Sequence, residues 1–379
     1  MKRIWYSIVD YIRESDKLMI FITLAASLYG CLMVLSSTRY TGSTRQFITQ
    51  LVGVCLGMMA ATLLSIIDYR RLMRIWPIVA AIGLIPVILT FFIGFAPSGT
   101  DDKAWLMLPG NITFQPSELL KIAFIVTYAT HIKAVQEDIN SFKNLFLLAI
   151  HGAVPVGLIH LQGDDGTAII FLCIMLSMLY AGGVKARYFI ILFAAVVVAI
   201  PIIYFVVMND DQRARVLTLF NPESDLQGIG WQQWRARIAL ANGGFFGAGL
   251  FKGPLTQVAG VPKGYNDFIF VSIGEELGLL GCFATLLLLS GMCLRSLKIG
   301  KIAHDNSGRL ICTGFFAMIA FQTIINVGMS TSLLPVIGIT LPFFSAGGTS
   351  LCCLFLGVGL VLSVYRHRNP RTIYLHDNF

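Results

Sequence analysis

Residues 262–281 read PKGYNDFIFVSIGEELGLLG and place three carboxylates, Asp267, Glu275 and Glu276, in or at the edge of a run otherwise apolar enough to enter a bilayer. A carboxylate near the middle of a membrane helix costs about 2.5–3.5 kcal/mol on insertion scales. Such groups face a protein interior or a watery cavity, which makes them candidates for function. Upstream, residues 209–265 are polar and Gly-rich, with Trp and Arg. Asp267 therefore falls where a water-exposed loop meets a helix N-terminus.

The surrounding composition sets the class. Of 379 residues, 56% are hydrophobic and 13% charged, against about 25% charged in a soluble domain. Mean hydropathy is +0.75. These values describe a polytopic, all-α integral membrane protein forming a single domain over 1–379. The net charge of +8 fits basic residues collected in cytoplasmic loops. No basic, aromatic-laced surface for nucleic acid is present. The eight cysteines fall mostly in apolar runs without a CxxC pair, so neither a zinc site nor a disulfide framework is expected. The N-terminal stretch reads as an uncleaved first helix, since no small-residue cleavage site follows it.

Apolar runs of about 20 residues predict ten spans, near 18–36, 47–67, 75–95, 117–135, 144–161, 166–183, 187–207, 268–293, 308–330 and 350–366. Lys and Arg orient them. With the N-terminus inside, the inner segments hold Lys2, Arg3, Arg13 and Lys17, then Arg70, Arg71 and Arg74, and so on to Arg366, Arg368 and Arg371. The short outer loops hold only Arg39, Arg45 and Lys103. Both termini are then cytoplasmic. The large segments 96–116, 208–267 (Asp225 included) and 331–349 face outside, and activity at the outer leaflet follows.

Four further motifs carry polar chemistry. In Gln115–Lys121, QPSELLK, Glu118 and Lys121 share one face of an apolar helix. They read either as an ion pair holding helices together or as the floor of an outward cavity. In QGDDGT, Asp164 and Asp165 sit just before a helix, as N-caps or as partners for Lys121. In Trp231–Gly253, Arg235 and Arg237 precede Gly-rich turns; Arg suits phosphate, and an interfacial helix anchored by Trp is compatible. Pro335–Ser350, PVIGITLPFFSAGGTS, is too broken to span; the hydroxyls of Ser345, Thr349 and Ser350 could meet a sugar, or the segment is a tight turn. His131, His151 and His160 show no metal-ligand spacing and read as core or interface residues. No Walker A sequence occurs.

Taken in order, QPSELLKIAF, QGDDGTA, IALANGGFFGAGL, NDFIFVSIGEELGLLG and NVGMSTSLLPVIGITLPFFSAGGTS resemble the shape, elongation, division and sporulation (SEDS) family, and NVGM with LPVIGITLPFFS lean to its elongation branch, RodA. The resemblance implies a peptidoglycan glycosyltransferase of the bacterial cytoplasmic membrane. It would polymerise lipid II into a nascent glycan strand at the outer face during cell elongation and release undecaprenyl pyrophosphate. A class B penicillin-binding protein is the implied partner, beside membrane lipids. Asp267 maps to the catalytic aspartate, here a general base; Glu118 and Lys121 map to the charged pair, and Asp164 to the acidic residue of QPDLGT. Arg235, Arg237 and Lys263 are the cations expected at the pyrophosphate, with Ser345, Asp165, Glu275 and Glu276 in the polar cluster. No cofactor is required by these residues; a divalent cation, Mg²⁺ or Mn²⁺, stays open. The chain departs from the family at Gly163 (usually Pro), Asp165 (Leu), Ala346 (Tyr), Asn242 (Ser) and Ala104 (Arg before Trp105), which puts sugar and pyrophosphate contacts in doubt. A lipid-linked oligosaccharide flippase and a non-catalytic scaffold are the competing functions.

Overall fold

The computed structural model describes residues 14–96, 102–110, 112–210, 213, 217 and 229–369. Lys2, Arg3, Arg13, Arg215, Asp225 and Arg371 lie outside the described residues. Ten long helices run through the described part: α1 Lys17–Ser37, α2 Arg45–Ile66, α3 Trp76–Ile93, α4 Pro116–Ala134, α5 Phe142–Leu161, α6 Asp165–Gly182, α7 Ala186–Ile202, α8 Ile269–Lys301, α9 Asn306–Ser330 and α10 Gly348–Arg366. Nine are long and apolar enough to cross a membrane, α7 with its π-helical extension to Val207. The tenth, α4, carries the buried Glu118 and Lys121 and packs against α3, α6, α9 and α10. The chain is a multi-pass membrane protein.

Local chemistry sets the helix starts. Asp16 caps α1 by accepting from the Met19 N–H at 2.7 Å, and Asp305 caps α9 through Gly308 N at 3.0 Å. Pro116 occupies the first turn of α4, where its missing N–H costs nothing. Packing then relies on small residues, as expected where lipid removes the hydrophobic drive between helices. On α2, Gly53 faces the Gly348 backbone and Ala61 faces Gly359 of α10; a Cβ on Gly53 would stand 2.7 Å from the Gly348 carbonyl oxygen. The α7 span is the exception, with no residue buried in the bundle. The link leading into it is tied by Lys185 N, which donates to Asn140 Oδ1 at 2.9 Å.

Two features amend the sequence expectation. Within the 96–116 segment, β1 Leu106–Leu108 pairs antiparallel with β2 Ile112–Phe114, so among the described residues one short hairpin interrupts the helices. The eighth span runs to Lys301 and is broken at Gly278, with φ 67° and ψ −162°. The break frees backbone groups, and the 244–249 turn supplies their partners. Ala248 N donates to Glu275 O and Gly249 N to Glu276 O, both at 2.9 Å, while Leu279 N donates to Gly244 O at 3.0 Å. This turn follows the outer helix Ile229–Gly243, which buries Gln233, Ala236 and Ala239 and packs along α8.

Candidate active site

The backbone at Asp267 is held by bonds from several parts of the chain. The preceding turn closes on itself, with Asn266 N and Phe268 N both donating to Lys263 O at 2.9 and 3.2 Å. Lys263 takes φ +53° to do this, a conformation unfavourable for a residue with a Cβ. Three outside groups hold the turn. Asn326 Nδ2 donates to Asp267 O at 2.7 Å and to Ile339 O at 2.7 Å. Ser345 Oγ donates to Asn266 O at 2.7 Å while accepting from Leu341 N at 2.8 Å. Ala346 N donates to Tyr265 O at 2.9 Å. The Ser345–Gly347 turn is itself clasped by Gln50, whose amide meets Ser345 O at 3.0 Å and Gly347 N at 2.9 Å. Backbone strain over-determined by its surroundings is a mark of functional positions.

The Asp267 side chain does not cap α8: the N-cap is Phe268, with no side-chain bond. It faces Lys263, with Nζ 3.7 Å from Oδ2. Burial pushes the Asp267 carboxyl above its ordinary range; Lys263 opposes this and the charge of Asp164 adds to it.

Beneath lies the charged floor. Lys121 Nζ bonds Glu118 Oε1 at 2.8 Å, and both side chains are almost wholly buried. Asp164, not Asp165, turns inward. Its Oδ1 accepts from Thr167 N at 2.9 Å and its Oδ2 from Gln115 Nε2 at 2.9 Å. Asp164 is raised by burial and interacts with the charges of Lys121 and Glu118. Asp164 thus caps α6, while Lys121 is bonded to Glu118 and acts on Asp164 only through its charge. Asp165 points to the surface and meets His160 Nδ1 at 2.5 Å. Gly163 adopts φ +89°, which proline cannot reach, so this turn differs from one built on QPDLGT.

Other expected residues are placed elsewhere. Arg235 donates through Nε to Gly260 O at 2.7 Å and lies over the Trp231 ring. Arg237 is exposed on the far side of its helix. Of the three expected cations, Lys263 alone pairs with Asp267. The Ser345 hydroxyl is committed to the Asn266 turn, and the exposed Thr349 Oγ1 donates to Thr113 O at 2.9 Å, so both fix the site's walls. Glu275 and Glu276 are fully buried and bond the outer loop, not Asp267. Among the histidines, His131 and His151 pair through their Nδ1 atoms at 3.0 Å. No group of three or more His, Cys, Asp or Glu that could hold a metal occurs among the described residues.

Sequence reading missed Asn326, Gln50 and Gln115. Each is a lone amide in or beside an apolar span, and its one signal is the cost of burying an amide without partners.

The family model described as cell cycle protein, for FtsW, RodA and SpoVE, matches residues 16–370. The probable peptidoglycan glycosyltransferase FtsW of Geobacter metallireducens is 31% identical, over 93% of this chain and 95% of its own. The peptidoglycan glycosyltransferase MrdB of Escherichia coli is 32% identical, over 93% and 94%. A solved structure described as the structural coordination of polymerization and crosslinking by a peptidoglycan synthase complex is similar with TM-score 0.80 and 27% identity, covering 93% of this chain and 98% of that one. Motif order, helix arrangement and a match along nearly the whole chain agree, and the protein belongs to the SEDS family.

Proposed function

We propose that the protein is an inverting peptidoglycan glycosyltransferase of the elongation branch, polymerising lipid II with Asp267 as general base. The observation that carries this is the Asp267 turn: a buried carboxylate held on its backbone from three directions and faced by one ammonium. The 4-hydroxyl oxygen of the acceptor sugar attacks the α-linked anomeric carbon of the donor. Its proton passes to the Asp267 carboxylate. The carbon–oxygen bond to the pyrophosphate breaks, and the undecaprenyl pyrophosphate leaves with the electron pair, giving a β linkage. Lys263 supplies positive charge beside both the base and the departing phosphate, and the Glu118–Lys121 pair with Asp164 supports the floor. A Mg²⁺ or Mn²⁺ ion would need the pyrophosphate among its ligands, since such ions use one or two carboxylates plus substrate phosphates; Asp164 is the available carboxylate beside the base.

A flippase would need a polar path through both leaflets. Below Lys121 the core is closed by buried Phe124, Ile125, Tyr128, Phe171 and Phe315, which favours chemistry at the outer face over passage. A scaffold has no use for a buried carboxylate so positioned. We read the termini as cytoplasmic and the site as facing outside. A class B penicillin-binding protein is the partner expected, docked along the outer halves of α8 and α9. Its support is the family's motifs and the similarity to a complex whose description joins polymerisation to crosslinking. Purification in mild detergent without such a partner would count against it.

The test is lipid II polymerisation by purified protein with its partner. Asp267→Asn keeps the shape and removes the base, so the rate should fall about 10²–10⁴-fold with folding and partner binding intact. Parent-rate polymerisation by a folded Asp267→Asn protein would sink the assignment.

A further inference from the structure

Glu275 and Glu276 follow Asp267 by two turns on α8 and have no part in the chemistry above. Their bonds all run to the outer loop and α1. Glu275 accepts from Leu255 N at 3.0 Å, from Thr256 N at 2.7 Å and from Asn242 Nδ2 at 3.3 Å. Glu276 accepts from Phe251 N at 3.2 Å, Ser36 Oγ at 2.6 Å and Gln257 Nε2 at 2.7 Å. Two full charges are thus held by amide and hydroxyl dipoles, the stronger kind of hydrogen bond. The segment they grip, 251–257, leads directly to Gly260, which receives Arg235, and to Lys263, which faces Asp267. Meanwhile the carbonyls of the same two glutamates hold Ala248 and Gly249. Side chain and backbone together fix both ends of the loop against the helix that carries Asp267.

We propose that Glu275 and Glu276 are positioning residues of the polymerisation site, clamping the 251–263 segment so that Lys263 stands over Asp267. This rests on the general-base reading of Asp267. The carboxylate form matters because every partner is a donor. Glutamine would turn an amide NH₂ towards Thr256 N or Leu255 N, donor against donor, and release the segment. Lys263 would then withdraw. The charged groups acting on Asp267 are Lys263 from its own turn and Asp164 from the α5–α6 turn. With Lys263 gone, burial and Asp164 remain, both raising the carboxyl. The base form is then lost at a higher pH.

The experiment measures lipid II polymerisation against pH for the full chain with its partner, as parent, Lys263→Met, Glu275→Gln and the double variant. Glu275→Gln should fold with a lowered melting temperature, and its acidic limb should move to higher pH in the direction given by Lys263→Met. Each pH unit of movement lowers the rate about tenfold at a pH below the limb. The double variant should be no worse than Lys263→Met alone, since both changes remove one interaction. A Glu275→Gln limb that stays at the parent pH, or effects that multiply in the double variant, overturns the clamp. If Lys263→Met itself leaves the limb unmoved, the reading of Asp267 fails instead. Should Glu275→Gln not accumulate, Gln257→Leu removes one donor to Glu276 and must move the limb the same way by a smaller step; an unmoved limb again overturns the proposal.

Discussion

At the scale of single residues, the site is defined by charges that lipid and protein both make costly. Asp267 could be picked from the sequence because no apolar run tolerates a carboxylate without a reason. Its neighbours could not: Asn326 and Gln50 act through backbone carbonyls and amides and Gln115 through the Asp164 carboxylate, contacts that residue type alone does not announce. The pH dependence follows from burial. Desolvation raises the Asp267 carboxyl, and the ionised form is the base, so activity is present above the raised value and lost as pH falls through it. The acidic limb of the polymerisation rate should therefore lie above the ordinary aspartate value of about 3.9; a limb at that value would contradict the desolvated site. Lys121 offers a second check. Its ammonium is buried beside Glu118, and removing one partner of a buried pair costs about 3–5 kcal/mol, whereas replacing both can be nearly neutral. Lys121→Ala should lower the melting temperature in detergent more than Lys121→Met with Glu118→Gln does. Equal melting of the two variants would mean that the pair is not energetically coupled.

At the scale of elements, α8 is two helical pieces joined at Gly278 and mended by a turn from elsewhere in the chain. Span positions were readable from apolar runs, and most of the ten boundaries fall within a few residues of those observed. The break was not, since LGLLG continues an apolar pattern and the turn that fills it lies about thirty residues earlier. The partner of the Gly-rich 243–249 turn was hidden for a related reason: glycine marks close backbone approach without saying to what. Here it approaches α8. A Cβ on Gly278 would meet Gly247 N at 2.4 Å and Phe245 O at 2.5 Å, and one on Gly247 would meet Glu276 O at 2.1 Å. Both glycines have positive φ. Gly278→Ala should cost at least the roughly 1–3 kcal/mol of a strained backbone position and lower both melting temperature and polymerisation. Exposed Gly42, with φ +66° and open space around it, is the control: Gly42→Ala carries the conformational penalty alone and should leave polymerisation unchanged. Comparable loss of activity in both variants would show that the α8 junction has no special importance.

At the scale of the whole molecule, contacts sort into two sets at opposite ends of the helices, and the sorting follows the distribution of Lys and Arg. At one end, Lys133 bonds Asp305 at 3.0 Å, Arg366 bonds Glu14 at 3.0 Å, Arg295 pairs with Asp16, and Tyr69 donates to Asp305 at 2.7 Å. These join the start of α1, the α2–α3 link, the end of α4, the α8–α9 turn and the end of α10, all assigned to the inside by charge. At the other end, Thr349 reaches Thr113, Gln257 reaches Ser36, and Arg39 lies over the Phe251 ring. That end carries Asp267 and the outer loop. One crossing, α1, separates Asp16 from Arg39, and one, α3, separates Tyr69 from Thr113, so each step between the sets takes an odd number of crossings. We propose that the end rich in Lys and Arg faces the cytoplasm, because basic residues close to span ends resist translocation. Single cysteines at His304, in the α8–α9 turn, and at Val258, exposed in the outer loop, read the outcome in intact cells. A membrane-impermeant thiol reagent should label Val258→Cys at once and His304→Cys only after the membrane is opened. Labelling of His304→Cys in sealed cells, with Val258→Cys protected, would turn the protein over in the membrane. Asp267 would then face the cytoplasm, and polymerisation at the outer surface would be excluded with it.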